Sequence, residues 1–280
     1  MHTHSAASDG TDSPEALIAA AVAGGLTVVA LTDHDTTAGW ARAAAVLPPG
    51  LILVPGAEVS CMVIDRDRRV SVHLLAYLFD RAEPVFAAAR ARLRTERLDR
   101  GRRIVAALSD GGVPIGWDDI HALAGGAPMG RPHIARALVA AGAAGTVQEA
   151  FTTLLHPTSP YYRRKQDLEA TEAVRLVRAA GGVSVFAHPR ARRRGRVVSD
   201  DVIHELADAG LGGLEVDHTD HDDEDRAQLR RLAAQLGLVT TGSSDYHGTN
   251  KTVRLGAETT APWAYEAICA QGTGAQVITA

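Results

Sequence analysis

Hydrophobic and polar positions follow two rhythms along this chain. Short apolar runs at 26–31, 51–54, 57–61, 70–78, 183–187, 213–216 and 238–241 read as strands, because brief, Val-rich apolar stretches fit a sheet covered on both faces. Helical signals fill the intervals. Ser13-Pro14-Glu15 combines an N-cap, a proline in the first turn and an acid beside it, and the Ala-rich helix that follows stops at Gly24-Gly25. Further helices are expected at 39–47, 167–180, from Ser199-Asp200-Asp201 to Ala209, and at 222–236. Asp65-Arg66-Asp67-Arg68-Arg69 is a polar turn between two strands.

Residues 80–156 break the alternation. A long Arg-rich helix is expected at 83–109, then short helices at 117–124, 131–141 and 146–155, with no strand signal between them. This predicts a helical insertion the size of a small domain, set into an α/β unit formed by 1–79 and 157–280. The arginine runs of the insertion fit a solvated helix face. In the α/β unit, residues able to do chemistry sit just past strand ends. That is the layout of a parallel barrel, whose active site gathers at the C-terminal face.

Composition narrows the class. The 280 residues are 46% hydrophobic but only 4% aromatic, so the core is built from small and branched side chains. A net charge of −4 argues against duplex DNA held by bulk positive charge, though not against a local basic pocket. Cys61 and Cys269 form no CxxC and predict neither a disulfide framework nor a zinc knuckle. No long apolar stretch or signal peptide is evident, which predicts a cytoplasmic protein away from membranes. A monomer is compatible with this pattern.

Twelve histidines are the unusual feature. His2, His4, His34, His73, His188 and His247, with Asp9, Glu58 and Asp245, fall at or near strand ends. If the barrel closes, they share one cavity. One tetrahedral ion needs three or four ligands, so nine imply two or three metals, with Glu58 as a candidate bridge. Nitrogen and oxygen donors without thiolate suit Mn, Fe or Zn. Such centres polarise phosphoryl oxygens and activate water. Each residue also has a plain reading: His73 as an ordinary polar group on an apolar strand, Asp9 as a turn residue before Gly10, Asp245 and His247 as loop polars. His121, His156, His204 and His221 are expected at the surface or in caps. A His-x-His pair normally rides on a strand, and only Met1 precedes His2, so looser geometry is expected there.

The stretches His2-Thr3-His4-Ser5 with Ser8-Asp9-Gly10, Leu31-Thr32-Asp33-His34, Gly56-Ala57-Glu58, Phe186-Ala187-His188-Pro189 and Gly242-Ser243-Ser244-Asp245-Tyr246-His247-Gly248 resemble the motifs of the PHP (polymerase and histidinol phosphatase) family. The resemblance spans the chain outside the insertion. It implies a distorted (β/α)7 PHP barrel with a di- or trinuclear metal centre. One metal would take His2, His4, Glu58 and Asp245; a second Glu58, His73 and His188; a third Asp9, His34 and His247. Within the family, the insertion resembles the branch acting on 3′,5′-bisphosphonucleotides and on the 5′ ends of short RNA. Arg131 and His133 would then read a second phosphate, with Lys165 at the insertion's return. The other reading of Gly130-Arg131-Pro132-His133 is a helix start. Arg163-Arg164-Lys165 and Asp217 depart from the branch's expected residues.

The expected function is a metal-dependent phosphoesterase acting on a nucleotide or short RNA. His188 or Asp9 would pass a proton to the leaving oxygen, and Arg194 or Arg196 would hold phosphate at the barrel mouth. Alternatives are a histidinol-phosphate phosphatase, which would not need the insertion, an amidohydrolase, and a nucleotide-binding regulatory module.

Overall fold

The structure is a computed structural model that describes residues 1–124 and 130–280, apart from the side chains of Ala124 and Arg194. One sheet carries seven strands: β1 (Val28–Leu31), β2 (Ile52–Asp65), β3 (Arg68–Tyr77), β4 (Leu168–Glu169), β5 (Val183–Phe186), β6 (Gly213–Asp217) and β7 (Val239–Gly242). Their order is β1-β2-β3-β5-β6-β7, with β4 branching from β2. The sheet curls into a half-barrel. Around it lie α1 (Pro14–Ala23), α2 (Trp40–Ala44), α7 (Ala170–Ala179), α8 (Asp200–Ala209), α9 (Asp223–Leu236) and α10 (Pro262–Gln271).

The sheet is mixed, where the strand–helix rhythm predicted a parallel one. β2 and β3 run antiparallel, as do β3 and β5. The cause is local: Arg66 and Asp67 have φ of 48° and 62°, the left-handed pair of a tight hairpin turn. A parallel neighbour would need a long crossover. The runs at 51–54 and 57–61 also merge into one strand, β2. Pro55-Gly56 reads as punctuation, yet it marks a change of partner: Leu31 pairs with Pro55, and Gly56 with Tyr77. β4 and α10 were not foreseen.

The first residues close the gap between β1 and β7. Thr3 bridges Tyr246, His4 N donates to the Tyr246 carbonyl at 2.8 Å, and Thr32 N donates to the Thr3 carbonyl at 2.9 Å. The Thr3 hydroxyl adds a 2.6 Å bond to the Ala30 carbonyl. This segment therefore acts as a strand on both sides, and the looseness expected around His2 does not arise. Both His2 and His4 are fully buried.

Residues after β3 form α3 (Pro84–Asp110), α4 (Trp117–Ala124), α5 (Arg131–Ala140) and α6 (Val147–Thr152). Their own apolar cluster joins Ile104, Val105, Leu108, Ile120, Ile134 and Leu138. The first half of α3 belongs elsewhere, since Phe86, Ala89 and Leu93 pack into the main core beside the sheet. Trp40, Phe79 and Phe86 pack in a row, tilted and then edge to face, with centroids 5.2 and 4.9 Å apart, and the Arg90 guanidinium lies 5.0 and 5.1 Å from the two phenylalanine rings. This cluster bolts α3 to the barrel. No helix among the described residues is long and apolar enough to cross a membrane.

Phe86 is completely buried, so F86A is expected to cost about 3–5 kcal/mol, read as a lowered urea midpoint. A loss near zero would mean that α3 does not depend on this anchor.

Candidate metal centre

Glu58 lies in mid-strand, where its carboxylate is reached from all sides. Its Oε2 is 3.1 Å from His2 Nε2, 3.0 Å from His4 Nε2 and 3.3 Å from His34 Nδ1. Its Oε1 is 2.7 Å from His73 Nδ1 and 3.2 Å from His188 Nε2. Asp245 Oδ1 lies 3.3 Å from both His2 and His4. Asp9 lies 3.6 Å from His34 Nε2 and 3.5 Å from His247 Nε2. All nine residues expected from the sequence are thus brought together.

They form three overlapping groups: His2, His4, Glu58 and Asp245; His4, Asp9, His34 and His247; and His34, Glu58 and His73. The first matches the set implied by the resemblance. The second gains His4. In the third, His34 stands where His188 was expected.

The donor atoms fit metal. His2 and His4 project from alternate positions of one extended segment, so their Nε2 atoms face each other at 3.0 Å. Bonds of 2.0–2.1 Å in a tetrahedron place neighbouring ligand atoms about 3.3 Å apart, and the first group spans 3.0–3.3 Å. Buried His34 Nδ1 has no hydrogen-bond partner among the described residues, consistent with a lone pair aimed at an ion.

A cavity of about 390 Å³ opens from Asp9, His34 and His73 toward the helices inserted after β3. Arg131, at the start of α5, lines it with Lys165. His133 is buried, and its Nδ1 accepts from Gly130 N at 3.1 Å, the capping role of a helix start. Lys165 pairs with Asp167 at 2.7 Å. Arg196 does not reach the cavity; it stands 3.9 Å from Asp65, at the far end of β2. The side chain expected of Arg194 lies outside the described residues. Arg164, from the segment at the insertion's return, lines the cavity too, with three cations that the sequence had not singled out: Arg69, Arg97 and Arg100.

Comparison with known proteins decides the family. The PHP domain profile matches residues 1–92. A 3′,5′-nucleoside bisphosphate phosphatase from Chromobacterium violaceum is 34% identical, over 88% of this chain and 86% of that protein. The chain belongs to the PHP family. The 5′-3′ exoribonuclease Rnm of Salmonella typhimurium is 30% identical over 96% of this chain and 91% of its own. A crystal structure from Bifidobacterium adolescentis, assigned as a metal-dependent phosphoesterase, superposes with a TM-score of 0.90 at 38% identity, covering 97% and 95% of the two chains. The protein is accordingly a hydrolase, a PHP phosphoesterase, and the regulatory-module alternative falls away.

Several residues that hold this PHP site were not legible beforehand. Glu215, in mid-β6, is fully buried; it lies 3.0 Å from His2 Nδ1 and accepts the His188 backbone N–H at 2.8 Å. One carboxylate thus orients a ring and a strand end. The signal was an acid within an apolar strand. Asp33 accepts from Ser5 N, Ser5 Oγ and Ser8 Oγ at 2.8, 2.7 and 2.6 Å, fixing the loop that carries Asp9. Asp245 is held by Lys251 Nζ at 2.6 Å, with His218 Nε2 at 3.6 Å. His221 was expected at the surface or in a cap; it is buried, accepting from Arg190 N at 3.1 Å while its other nitrogen lies 2.8 Å from the Val216 carbonyl. His188 and Asp245 adopt φ of 34° and 47°, a conformation that costs energy outside glycine.

Burial opposes charge throughout the centre, and the partners decide the outcome. Burial would lower His2, but Asp245, Glu215 and Glu58 raise it to about 10. His4 rises to about 9 against the same desolvation, through Asp245, Glu58 and Asp9. Burial would raise Asp9, yet His34, His247 and His4 hold it far below the usual carboxylate range. His247 falls to about 3, through burial and then repulsion from His4 and Lys251.

Two outcomes follow from this charge balance. The surrounding carboxylates raise His2 and His4 to about 10 and 9, which favours a protonated imidazole pair in the metal-free centre at pH 7. Metal uptake is expected to release protons and to weaken as pH falls; calorimetry in buffers of different ionisation enthalpy measures this, and uptake without proton release would contradict it. Glu215→Gln is expected to weaken metal affinity about 10–100-fold, read by chelator competition.

Proposed function

We propose that this protein removes the 5′-phosphate from 3′,5′-bisphosphonucleotides, or releases mononucleotides from short 5′-phosphorylated RNA, using two or three divalent ions. Nitrogen and oxygen donors without thiolate suit manganese, with iron or zinc as alternatives. The observation that carries this reading is the cavity joining Asp9, His34 and His73 to Arg131. A guanidinium remote from the metal-facing residues gives a second phosphate a partner. The relatives named for a nucleoside bisphosphate and for 5′-3′ RNA cleavage support the same chemistry. Duplex DNA does not suit a pocket of about 390 Å³ on a chain of net charge −4. We place the activity on small cytoplasmic nucleotides or RNA ends.

His2, His4, Glu58 and Asp245 would hold one ion, and Asp9, His34 and His247, with His4 alongside, another. Glu58 would be shared with a third position at His73. When bound, the ions supply Lewis acidity at the phosphoryl oxygens and lower the pKa of water. The protein's own residues do the rest. Asp9, held ionised by its imidazole neighbours, is a poor proton donor. His188 stands outside the three ligand groups, with Nε2 3.2 Å from Glu58, and is the better group to pass a proton to the leaving 5′ oxygen. Arg131 binds the remote phosphate and so positions the scissile one. The helices over residues 80–156 act as the cap that excludes water and presents Arg131.

A phosphate-release panel tests the reading. With manganese, adenosine 3′,5′-bisphosphate is expected to show the highest kcat/KM, above AMP and histidinol phosphate, and a 5′-phosphorylated trinucleotide is shortened from its 5′ end. Arg131→Ala is expected to lower kcat/KM for the bisphosphate about 10–100-fold more than for AMP. A preference for histidinol phosphate would replace this reading with the simpler phosphatase.

A further inference from the structure

The hairpin of β2 and β3 outruns the rest of the sheet. β4 pairs with β2 only at Cys61 and Met62, and β5 pairs with β3 only over 74–77, so no third strand joins 63–72 among the described residues. The two strands of this arm alternate in burial. Val63, Val70 and Val72 enter the main core, and Asp65 is buried beside Ser199, whose hydroxyl donates to it at 2.7 Å. One face of the arm is thereby fixed. The other face carries Met62, Ile64, Arg69 and Ser71, as the two-residue period of a strand requires.

That free face is ordered in two columns. The register sets Ser60 opposite His73, Met62 opposite Ser71 and Ile64 opposite Arg69. The columns start at the metal centre, where His73 lies 2.7 Å from Glu58. One runs His73, Ser71, Arg69 and the other Met62, Ile64. Steps of two residues are about 6.6–6.8 Å, so Arg69 stands about 13 Å along the strand from His73. Met62, Ser71 and Arg69 line the cavity, which makes the face continuous with it. Ser71 donates to Asp167 at 3.3 Å, and Lys165 balances that acid at 2.7 Å. Arg69 is exposed and forms no ion pair among the described residues. Beside it Ile64 is 56% exposed, an apolar side chain that packs against nothing in the fold's cores.

We propose that the free face of the β2–β3 arm is a track for single-stranded RNA, carrying the chain beyond the nucleotide held at the metal centre. Arg69 contacts the phosphodiester backbone, and Met62 and Ile64 pack against the bases. The inference rests on the RNA form of the phosphoesterase reading above and deepens it. A cation beside apolar side chains is the pairing a single strand calls for, since its backbone is anionic and its unpaired bases expose flat apolar faces. Continuity with the metal centre favours an RNA chain over an acidic protein or a membrane, neither of which has to enter the cavity. The track belongs to the sheet and not to the inserted helices. A bisphosphonucleotide seated in the cavity ends short of Ile64 at the tip, so the full track is engaged by RNA alone.

The test compares kcat/KM for a 5′-phosphorylated octaribonucleotide with that for adenosine 3′,5′-bisphosphate in the manganese-loaded protein. Ile64→Ser and Arg69→Gln are each expected to lower the oligonucleotide-to-bisphosphate ratio, and together to lower it at least about tenfold. Both side chains are exposed, so neither change opens a core. Arg69→Gln is also expected to flatten the slope of log kcat/KM against log salt for the octanucleotide by about 0.7. Arg68→Gln is the control. It removes the same charge from the adjacent position, on the opposite face by alternation, and is expected to leave the ratio unchanged. A loss equal to that of Arg69→Gln would mean that overall charge sets the affinity and would overturn the track, as would an unchanged ratio in the double variant. Binding reads the track without turnover. By fluorescence anisotropy, a phosphorothioate-linked octaribonucleotide labelled at its 3′ end is expected to bind at least about tenfold more tightly than the matching dinucleotide, an advantage absent from the double variant. If the wild type shows that advantage yet cleaves no RNA, the catalytic reading fails and the track stands. Equal affinity for the two lengths overturns the track.

Discussion

The structure depends on one buried carboxylate. Glu58 is almost completely enclosed, with imidazoles from five positions within 3.3 Å of its two oxygens. A carboxylate cannot be buried alone, and the imidazoles that surround it are crowded together. The arrangement is favourable only with positive charge among them, as protons or as metal. Burial and the neighbouring histidines both act on Glu58, and the histidines prevail, holding its carboxyl well below the usual range. The sheet exists around this demand: β2 carries Glu58, β3 brings His73 opposite Ser60, and the first residues bridge to Tyr246 so that His2 and His4 approach from the other side.

Around that centre a ring of acids fixes the ligands without being ligands. Asp33 ties the Ser5–Ser8 loop, Asp35 ties α3 to the strand beside His34, and Glu215 ties His2 to the end of β5. These contacts explain how residues from opposite ends of the chain stay in register over short distances. They also join the barrel to the helices above it. The half of α3 near Phe86 belongs to the barrel's core, while the half beyond Arg97 belongs to the second apolar cluster.

Much of this was legible in the residues because strand ends are legible. An apolar run followed by Asp-His or His-Pro marks both an element and its chemistry, and the nine ligand candidates converge as that pattern implies. Strand direction was less legible, since parallel and antiparallel runs have the same hydropathy, and only the turn at Arg66-Asp67 distinguishes them. The site's supports were least legible. Glu215 and Asp35 are acids whose role depends on contacts far along the chain, and Arg97 and Arg100 look like any others in a helix rich in arginine. Arg196 shows the converse: its neighbours in sequence suggested phosphate, and its partner is Asp65.

The central claim is that Glu58 is the shared ligand of a multinuclear centre. Anomalous diffraction from crystals grown with manganese tests it directly. At least two peaks are predicted within bonding distance of the Glu58 carboxylate, one also reaching His2, His4 and Asp245. No peak there, or peaks held by residues other than Glu58, would contradict the account.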